Sequence, residues 1–268
     1  MFQKFLTWLI HLTPKIKRWF WKWWYNTFAK NTQGSNFKFM NYGYYDDDFF
    51  PELLLEDENE RYPIHLYHYV ASQVEISGKK ILEVGSGRGG GASYIARYLN
   101  PRSVQAIDIS ESAVDLCNKT HLVENLSFQV GDSENIQFND DEFDVVINVE
   151  SSHCYGDMEK FLSEVKRILK PGGYCLWCDL RPINILEQLN TQFSESGMTL
   201  IQKNNITKNI IIALEKMSDT RKASIKENVP KIIRKTFESY AGVKGSKVYA
   251  SFINGDLIYL CATIKKVN

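Results

Sequence analysis

The sequence predicts an α/β protein built on a doubly wound, mostly parallel sheet of seven strands. Short apolar runs alternate with helical patterns from about residue 64 onward, and turn residues separate them. Apolar strands that alternate with helices form parallel sheets covered on both faces, and right-handed crossovers wind such a sheet outward in both directions. The predicted strands are 80–84, 103–109, 126–131, 143–149, 174–180, 199–203 and 257–264.

Helices are expected between these strands, at 90–99, 111–119, 157–169, 183–196 and 207–253. The run Lys170-Pro-Gly-Gly173 is expected to end the third of them. The long helical stretch before the last strand interrupts the alternation and predicts an inserted cap. We therefore expect one domain at 36–268, with a core at 64–205 and a cap at 206–254, preceded by an arm at 1–35.

The predicted arm differs from the body in charge and aromatic content. No Asp or Glu precedes Asp46. The basic residues before that point are Lys4, Lys15, Lys17, Arg18, Lys22, Lys30 and Lys38, and the tryptophans are Trp8, Trp19, Trp21, Trp23 and Trp24. Apolar residues recur every three or four positions and predict two short helices, at about 2–12 and 14–29.

Lysines beside tryptophans on short helices are typical of an interfacial membrane anchor. We expect residues 1–30 to contact a membrane peripherally from the cytoplasm, and packing on the protein's own core is the alternative. The apolar stretch at 5–12 is too short to span a bilayer, and no cleavable signal is expected. The whole chain has a net charge of zero, so the body is acidic and no nucleic-acid partner is expected.

Neither the cysteines nor the histidines predict a metal site. Five cysteines without framework spacing indicate a reducing compartment. Cys175 and Cys178 form a C-x-x-C pair on a predicted strand, where residues three apart point to opposite faces, so strand packing explains them better than zinc. His65 and His68 lack a third ligand in the pattern. The oligomeric state is not predicted.

The glycine-rich run at 85–91 follows a strand and opens a helix. Glycines at such a turn permit positive φ and close approach of a ligand to the backbone. Their spacing fits a dinucleotide as well as S-adenosylmethionine, and Asp108 suits a ribose in either case. Glu83 separates the two cofactors, because a carboxylate there suits the ammonium group of a methionine moiety but would repel a pyrophosphate.

Four ordered motifs carry a resemblance to class I S-adenosylmethionine-dependent methyltransferases. They are Glu83-Val-Gly-Ser-Gly-Arg-Gly89, Ile107-Asp-Ile-Ser110, Gly131-Asp-Ser133 and Leu169-Lys-Pro-Gly-Gly173. The resemblance implies a Rossmann-like fold. It implies cofactor contacts near the methionine part from Glu83, Gly85, Ser86, Gly87, Gly89 and Asn148. It also implies that Asp108 binds the ribose, Ile109 packs on the adenine, and Asp132 and Ser133 bind the adenine edge.

A closer resemblance is carried by Phe39-Met-Asn-Tyr-Gly-Tyr44, Gly87-Arg-Gly-Gly-Gly-Ala-Ser-Tyr94, Asn148-Val-Glu-Ser-Ser-His-Cys-Tyr155 and Tyr240-Ala-Gly-Val-Lys-Gly245. These resemble the phthiotriolone/phenolphthiotriolone dimycocerosates methyltransferases and their fatty-acid O-methyltransferase relatives. The resemblance implies methyl transfer to a hydroxyl or carboxyl oxygen of a hydrophobic lipid or polyketide-like acceptor. Carbon methylation of a prenyl-quinol or sterol-like acceptor, and a non-catalytic membrane-associated scaffold, are the alternatives.

Two polar residues follow the fourth predicted strand, at the edge where ligands bind in such folds. His153 is expected to accept a proton from an acceptor hydroxyl, or else to shape the pocket. Glu150 is expected to hold the acceptor or to orient His153. The resemblance further implies that Tyr42 and Tyr44 fold over the cofactor, with simple packing as the alternative.

Overall fold

A computed structural model describes residues 38–229, 234, 238, 239 and 241–267 of the protein. The predicted arm at 1–35, with its expected membrane contact at 1–30, lies outside them. In this described part of the chain, seven strands form one sheet. They are β1 Lys80–Val84, β2 Ser103–Asp108, β3 Leu126–Val130, β4 Phe143–Val149, β5 Leu169–Pro182, β6 Thr199–Asn205 and β7 Leu257–Lys265.

The strand order across the sheet is β3-β2-β1-β4-β5-β7-β6, and β7 runs antiparallel to its neighbours. The chain moves outward from β1 through β2 to β3, then returns to the other side of β1 as β4. The order therefore reverses between β1 and β4, and such a switch point opens a ligand crevice at the carboxyl ends of the strands. The predicted doubly wound, mostly parallel sheet is confirmed.

Helices cover both faces of this sheet. Their bounds are α1 Arg61–Ala71, α2 Gly90–Tyr98, α3 Glu111–Thr120, α4 Met158–Ile168, α5 Leu186–Glu195, α6 Thr207–Asn228 and α7 Lys247–Ile253. Apolar residues of α1, α2, α3 and α6 pack on one face, and those of α4 and α5 pack on the other. Among the described residues, no helix is both long and apolar enough to cross a bilayer.

The C-x-x-C pair lies on β5 as predicted. Cys178 belongs to the apolar cluster on one face of the sheet and Cys175 to the cluster on the other. Both thiols are free and buried. Strand packing therefore accounts for both cysteines.

Two predicted boundaries are wrong. The run at 170–173 does not lie outside the sheet, because β5 begins at Leu169, directly after α4. The N–H of Gly172 and the C=O of Gly173 both bond to Lys266, which extends the pairing with β7 through this run. The cap is not one continuous helix either, because residues 241–246 form turns in which Gly242 and Gly245 have positive φ.

Candidate active site

The loop between β1 and α2 turns at three left-handed glycines. Gly85, Gly87 and Gly89 have φ of 81°, 53° and 78°, a region that other residues enter only with strain. The N–H groups of Gly85 and Ser86 donate to the C=O of Ile107 at 2.8 and 3.0 Å. The loop is thereby fixed to the end of β2, beside the switch point.

Gly85 lets the segment after β4 approach this loop closely. A Cβ atom at Gly85 would lie 1.8 Å from Ser151 Oγ and 3.0 Å from the Tyr155 hydroxyl oxygen. At Gly87, a Cβ atom would meet nothing within 4 Å in the described structure. Close packing therefore requires glycine at position 85, whereas position 87 borders open space.

The amide groups of the loop are largely used inside the protein. The N–H of Gly87 donates to Asp108 Oδ2 at 2.8 Å. Gly89 donates to Ser86 O, and Gly90 donates to the C=O of Lys38. Amides that donate within the protein are not directed at a ligand phosphate, as a dinucleotide loop requires. The geometry therefore disfavours a dinucleotide as the cofactor, a hypothesis that the glycine spacing alone allowed.

Glu83 is a fully buried carboxylate with incomplete hydrogen bonding. The Tyr67 hydroxyl donates to Oε1 at 2.7 Å, whereas Oε2 has no hydrogen-bond partner among the described residues. Burial raises the pKa of Glu83 to about 7, although the bond from Tyr67 opposes the rise. An unpaired buried carboxylate oxygen is costly. A bound ammonium group would remove that cost, so this position fits a methionine moiety.

Asn148, near the end of β4, adds to the same polar region. Its Nδ2 donates to Val84 O and to the Tyr155 hydroxyl, both at 2.8 Å. Within the described residues, Asn148 Oδ1 and Ser86 Oγ are buried without a hydrogen-bond partner. Unpaired polar atoms thus occur on β1, on its loop and on β4, the elements that flank the switch point, which suits a ligand that carries several hydrogen-bond donors.

Asp108 ends β2, and Ile109 follows it partly exposed. The Asp108 carboxylate accepts from the N–H groups of Gly87 and Ser110 at 2.8 and 2.9 Å. Burial raises the pKa of Asp108, and these two bonds oppose the rise. The carboxylate is thus held rigidly at the crevice edge, where each oxygen keeps acceptor capacity for a ribose hydroxyl.

Asp132 and Ser133 form a turn after β3, and both are partly exposed. Asp132 Oδ1 accepts from the N–H of Glu134 at 3.0 Å. Glu134 is buried, and its Oε1 accepts from the N–H groups of Gly156 and Asp157 at 2.8 and 3.1 Å. Glu134 therefore connects the turn that is predicted to bind adenine to the segment after β4. The sequence motifs did not identify Glu134 as a candidate.

Glu150 directly follows β4 in a left-handed conformation, with φ of 46°. Its Oε1 accepts from the backbone N–H of Tyr42 and from the Tyr259 hydroxyl, both at 2.7 Å. Burial raises the pKa of Glu150 to about 7, against the effect of both bonds. Glu150 thus joins the segment before α1 to β7. A different carboxylate bonds to the His153 imidazole, so of the two roles expected for Glu150 the geometry favours holding the acceptor over orienting His153.

The carboxylate that holds His153 is Asp179, near the end of β5. His153 Nδ1 lies 2.8 Å from Asp179 Oδ1, and the His153 backbone N–H donates to Oδ2 at 2.8 Å. The imidazole is 29 % exposed, whereas Asp179 is fully buried. With Nδ1–H directed at Asp179, the neutral ring carries its acceptor at Nε2. No sequence motif includes Asp179. The signal that could have identified it is a carboxylate near the end of the strand that pairs with β4.

Electrostatics favour an ionised Asp179. Burial would raise its pKa, but His153 and Arg181 hold the pKa of Asp179 well below its usual range. Burial opposes protonation of His153, yet Cys154 and the Asp179 carboxylate together raise the pKa of His153 well above its ordinary value. The pair can therefore take up a proton at the crevice and stabilise the imidazolium that results.

Tyr42 and Tyr44 occupy different environments. Tyr42 lies beside Glu150 and packs edge-on against Phe252 of α7, with ring centroids 5.8 Å apart. Tyr44 stacks on Tyr69 of α1 at 4.5 Å. Packing therefore accounts for Tyr44, whereas Tyr42 borders the candidate site.

Comparisons with known proteins agree with this geometry. A family model described as a methyltransferase domain matches residues 75–253. The chain is 38 % identical over 216 residues to phthiotriol/phenolphthiotriol dimycocerosates methyltransferase 1 of Mycobacterium ulcerans, covering 80 % of this chain and 79 % of that protein. The protein belongs to this methyltransferase family. The methyltransferase is also 36 % identical over 203 residues to the fatty-acid O-methyltransferase of Mycolicibacterium smegmatis, covering 75 % and 74 %.

Solved structures share the fold of this methyltransferase. The [4+2]-cyclase SpnF superposes with a TM-score of 0.69 at 17 % identity, covering 95 % of this chain and 96 % of that one. Geranyl diphosphate C-methyltransferase from Streptomyces coelicolor, solved with S-adenosyl-L-homocysteine, has a TM-score of 0.67 at 16 % identity, covering 94 % and 98 %. The protein is an S-adenosylmethionine-dependent methyltransferase with a class I fold.

Proposed function

We propose that this methyltransferase methylates an oxygen of a hydrophobic, lipid-like or polyketide-like acceptor, and that the oxygen belongs to a hydroxyl group. The observation that carries the choice of a hydroxyl is the His153–Asp179 pair. A carboxylate acceptor is already ionised and needs no base, whereas an alcohol must lose a proton as the methyl group is transferred. A histidine held by a buried carboxylate supplies that base.

In the proposed reaction, bound S-adenosylmethionine supplies an electrophilic methyl group on a sulfonium. His153 Nε2 accepts the proton of the acceptor hydroxyl, and Asp179 stabilises the imidazolium through the bond to Nδ1. Glu150 is proposed to hold the acceptor or the wall of its pocket, since its carboxylate already bridges Tyr42 and Tyr259. Positioning and exclusion of water provide the rest of the rate enhancement.

For the cofactor, we propose that two groups of residues share the contacts. The methionine part would be held by Glu83, Gly85, Ser86, Gly87, Gly89 and Asn148, and the adenosine part by Asp108, Ile109, Asp132 and Ser133. The unpaired buried oxygens of Glu83 and Asn148 support the first assignment. The carboxylate of Asp108, which lies at the carboxyl end of β2 and is bonded to the glycine loop, supports the second. Tyr42 is proposed to border the reacting end of the site.

The hydrophobic nature of the acceptor is supported by the relatives, whose names specify phthiotriol and fatty-acid substrates. We propose that residues 206–254 cover the acceptor as a cap. We also propose that the basic, tryptophan-rich residues 1–30 bring the enzyme to the cytoplasmic surface of a membrane, where such acceptors reside.

The base is tested by replacing His153 and Asp179 in turn. With a hydroxylated lipid as acceptor, we expect His153→Gln and Asp179→Asn to lower kcat by about 10²- to 10⁴-fold while the affinity for S-adenosylhomocysteine changes little. His68→Gln is the control, because His68 of α1 bonds to Tyr94 of α2 and to neither His153 nor Asp179 in the described structure. Wild-type kcat in His153→Gln would rule out the base.

A further inference from the structure

Asp179 lies at the centre of a buried network at the carboxyl end of β5. Its carboxylate accepts hydrogen bonds at 2.7–2.8 Å from the backbone and ring of His153, the Ser152 hydroxyl and the Leu180 backbone. Arg181 Nη1 lies 2.9 Å from the same carboxylate. Because Asp179 has no contact with solvent, Arg181 supplies the nearest permanent positive charge that balances it.

Arg181 is itself buried and held by several contacts. Its Nη2 donates to Ser152 Oγ at 2.7 Å, and its guanidinium lies 5.0 Å from the centre of the Trp177 ring. Trp177 Nε1 also donates to Ser152 Oγ at 2.7 Å. Ser152 therefore gives its one proton to Asp179 and receives two donors, which uses a hydroxyl fully. The network fixes both the place and the orientation of the Asp179 carboxylate.

We propose that Arg181 is a positioning residue for methyl transfer, which holds the Asp179 carboxylate against His153 and lessens the attraction of that carboxylate for a proton on the imidazole. This inference rests on the proposed role of His153 as the base. Arg181 itself does not contact the reacting atoms in this scheme. It acts through Asp179 and Ser152.

Charge balance within the network supports this role. Asp179 and Arg181 together carry no net charge, so this pair does not balance the positive charge that a proton on His153 adds. Without Arg181, that proton would complete an ion pair with Asp179 and would be favoured. Among the described residues, Glu150, which directly follows β4, and Cys154, in the same turn, also act on the imidazole. Both act on the ring whether or not Arg181 is present.

The test is the titration of the His153 ring, followed by NMR on protein with labelled histidine. The chain has five histidines, and His153→Gln assigns the signal. Arg181→Gln removes the charge but keeps an amide that can bond to Ser152 or Asp179. We expect it to raise the pKa of His153 by about 1 unit or more. Arg181→Lys keeps the charge and is expected to bring the pKa most of the way back.

Arg97→Gln is the matched control, because Arg97 also pairs with a buried aspartate, Asp57, at 2.8 Å. All samples contain saturating S-adenosylhomocysteine, which stabilises the folded state of weakened variants. A His153 titration that is the same in Arg181→Gln and wild type overturns the inference, and so does an equal shift in Arg97→Gln. Failure of the proposed base would appear instead as unchanged turnover in His153→Gln, whatever the titration shows.

Discussion

Among single residues, Glu83 distinguishes the cofactor most sharply. Its carboxylate is fully buried, one of its oxygens is bonded to Tyr67, and the other has no partner in the described chain. A cation is the natural complement of such a group, and we propose that the ammonium of S-adenosylmethionine is that cation. The glycines beside it permit the fold of the loop but do not select the ligand.

The pKa of Glu83, raised to about 7 by burial, predicts pH-dependent cofactor binding. Only the ionised carboxylate attracts the ammonium group, so affinity should increase as pH rises through 7. From pH 6 to pH 7.5 we expect the Kd for S-adenosylhomocysteine to fall by about eightfold. Glu83→Gln should bind more weakly and lose this dependence. Isothermal titration calorimetry at both pH values measures the Kd and therefore its pH dependence.

Glu142→Gln is the control for this measurement. Glu142 pairs with Lys80 at the amino edge of the same sheet, opposite the crevice. Burial would raise the pKa of Glu142, but Lys80 and the hydrogen bonds from Asn139 together lower it. Its variant should keep the pH dependence of wild type. If Glu83→Gln also keeps the pH dependence, the Glu83 carboxylate is not the partner of the ammonium group.

The sequence predicted His153 as a candidate site residue but did not predict its partner Asp179. His153 follows a predicted strand within a motif, so its place at the crevice could be predicted. Its partner lies 26 positions later in the chain and belongs to no motif, so only the pairing of β4 with β5 brings the two together. Glu150 is expected from the sequence to hold the acceptor or to orient His153, and its carboxylate bonds to Tyr42 and Tyr259.

At the scale of elements, the glycine loop and the segment after β4 form one packed unit. Gly85 is the contact point, since any side chain there would overlap Ser151. Glu134 and Asn148 add hydrogen bonds from the neighbouring segments. The candidate cofactor site is therefore shaped by the approach of the β1 and β4 ends, in addition to the loop.

Two glycine variants separate backbone strain from this close contact. Gly78 and Gly85 both have positive φ, but a Cβ atom at Gly78 would meet nothing within 4 Å in the described structure. Gly78→Ala should lower the free energy of unfolding by about 1–2 kcal/mol and leave binding of S-adenosylhomocysteine unchanged. Gly85→Ala should carry the same strain and also weaken binding more than about tenfold, because Ser151 must move.

Urea unfolding and calorimetric titration measure these two quantities. Equal affinity in Gly85→Ala and wild type would mean that the contact with Ser151 does not shape the cofactor site.

Element boundaries were harder to predict than element types. The strands and helices of the core follow strong apolar patterns and were predicted in order. The start of β5 was missed because Pro171 and the glycines after it are typical of a turn, yet pairing with β7 keeps this run in the sheet. The break in the cap was missed because its two left-handed glycines lie within an otherwise helical composition.

For the whole molecule, charge separates the chain into a basic beginning and an acidic remainder. The doubly wound sheet could be predicted, because the alternation of elements and the handedness of crossovers leave few topologies. The antiparallel direction of β7 could not be predicted, since it depends on how the cap returns the chain to the sheet. The role of residues 1–30 stays a prediction from composition.

The proposed membrane contact of residues 1–30 predicts binding to anionic membranes. Six Lys and Arg residues lie within residues 1–30, and each one near an anionic surface contributes about 1 kcal/mol. The full chain should float with anionic vesicles in low salt and should not float with neutral ones. A chain that lacks residues 1–30 should remain at the bottom of the gradient while binding S-adenosylhomocysteine normally. Flotation that survives the deletion would assign the membrane contact to the body.

The proposed reaction transfers a methyl group to a hydroxyl oxygen of a hydrophobic acceptor. To test it, the enzyme is incubated with labelled S-adenosylmethionine and a lipid extract, and the product is analysed by mass spectrometry. We expect a methylated lipid whose label resists alkaline hydrolysis but is released as methyl iodide by hydriodic acid, as a methyl ether requires. Label released by alkali, label resistant to both treatments, or no labelled lipid would contradict it.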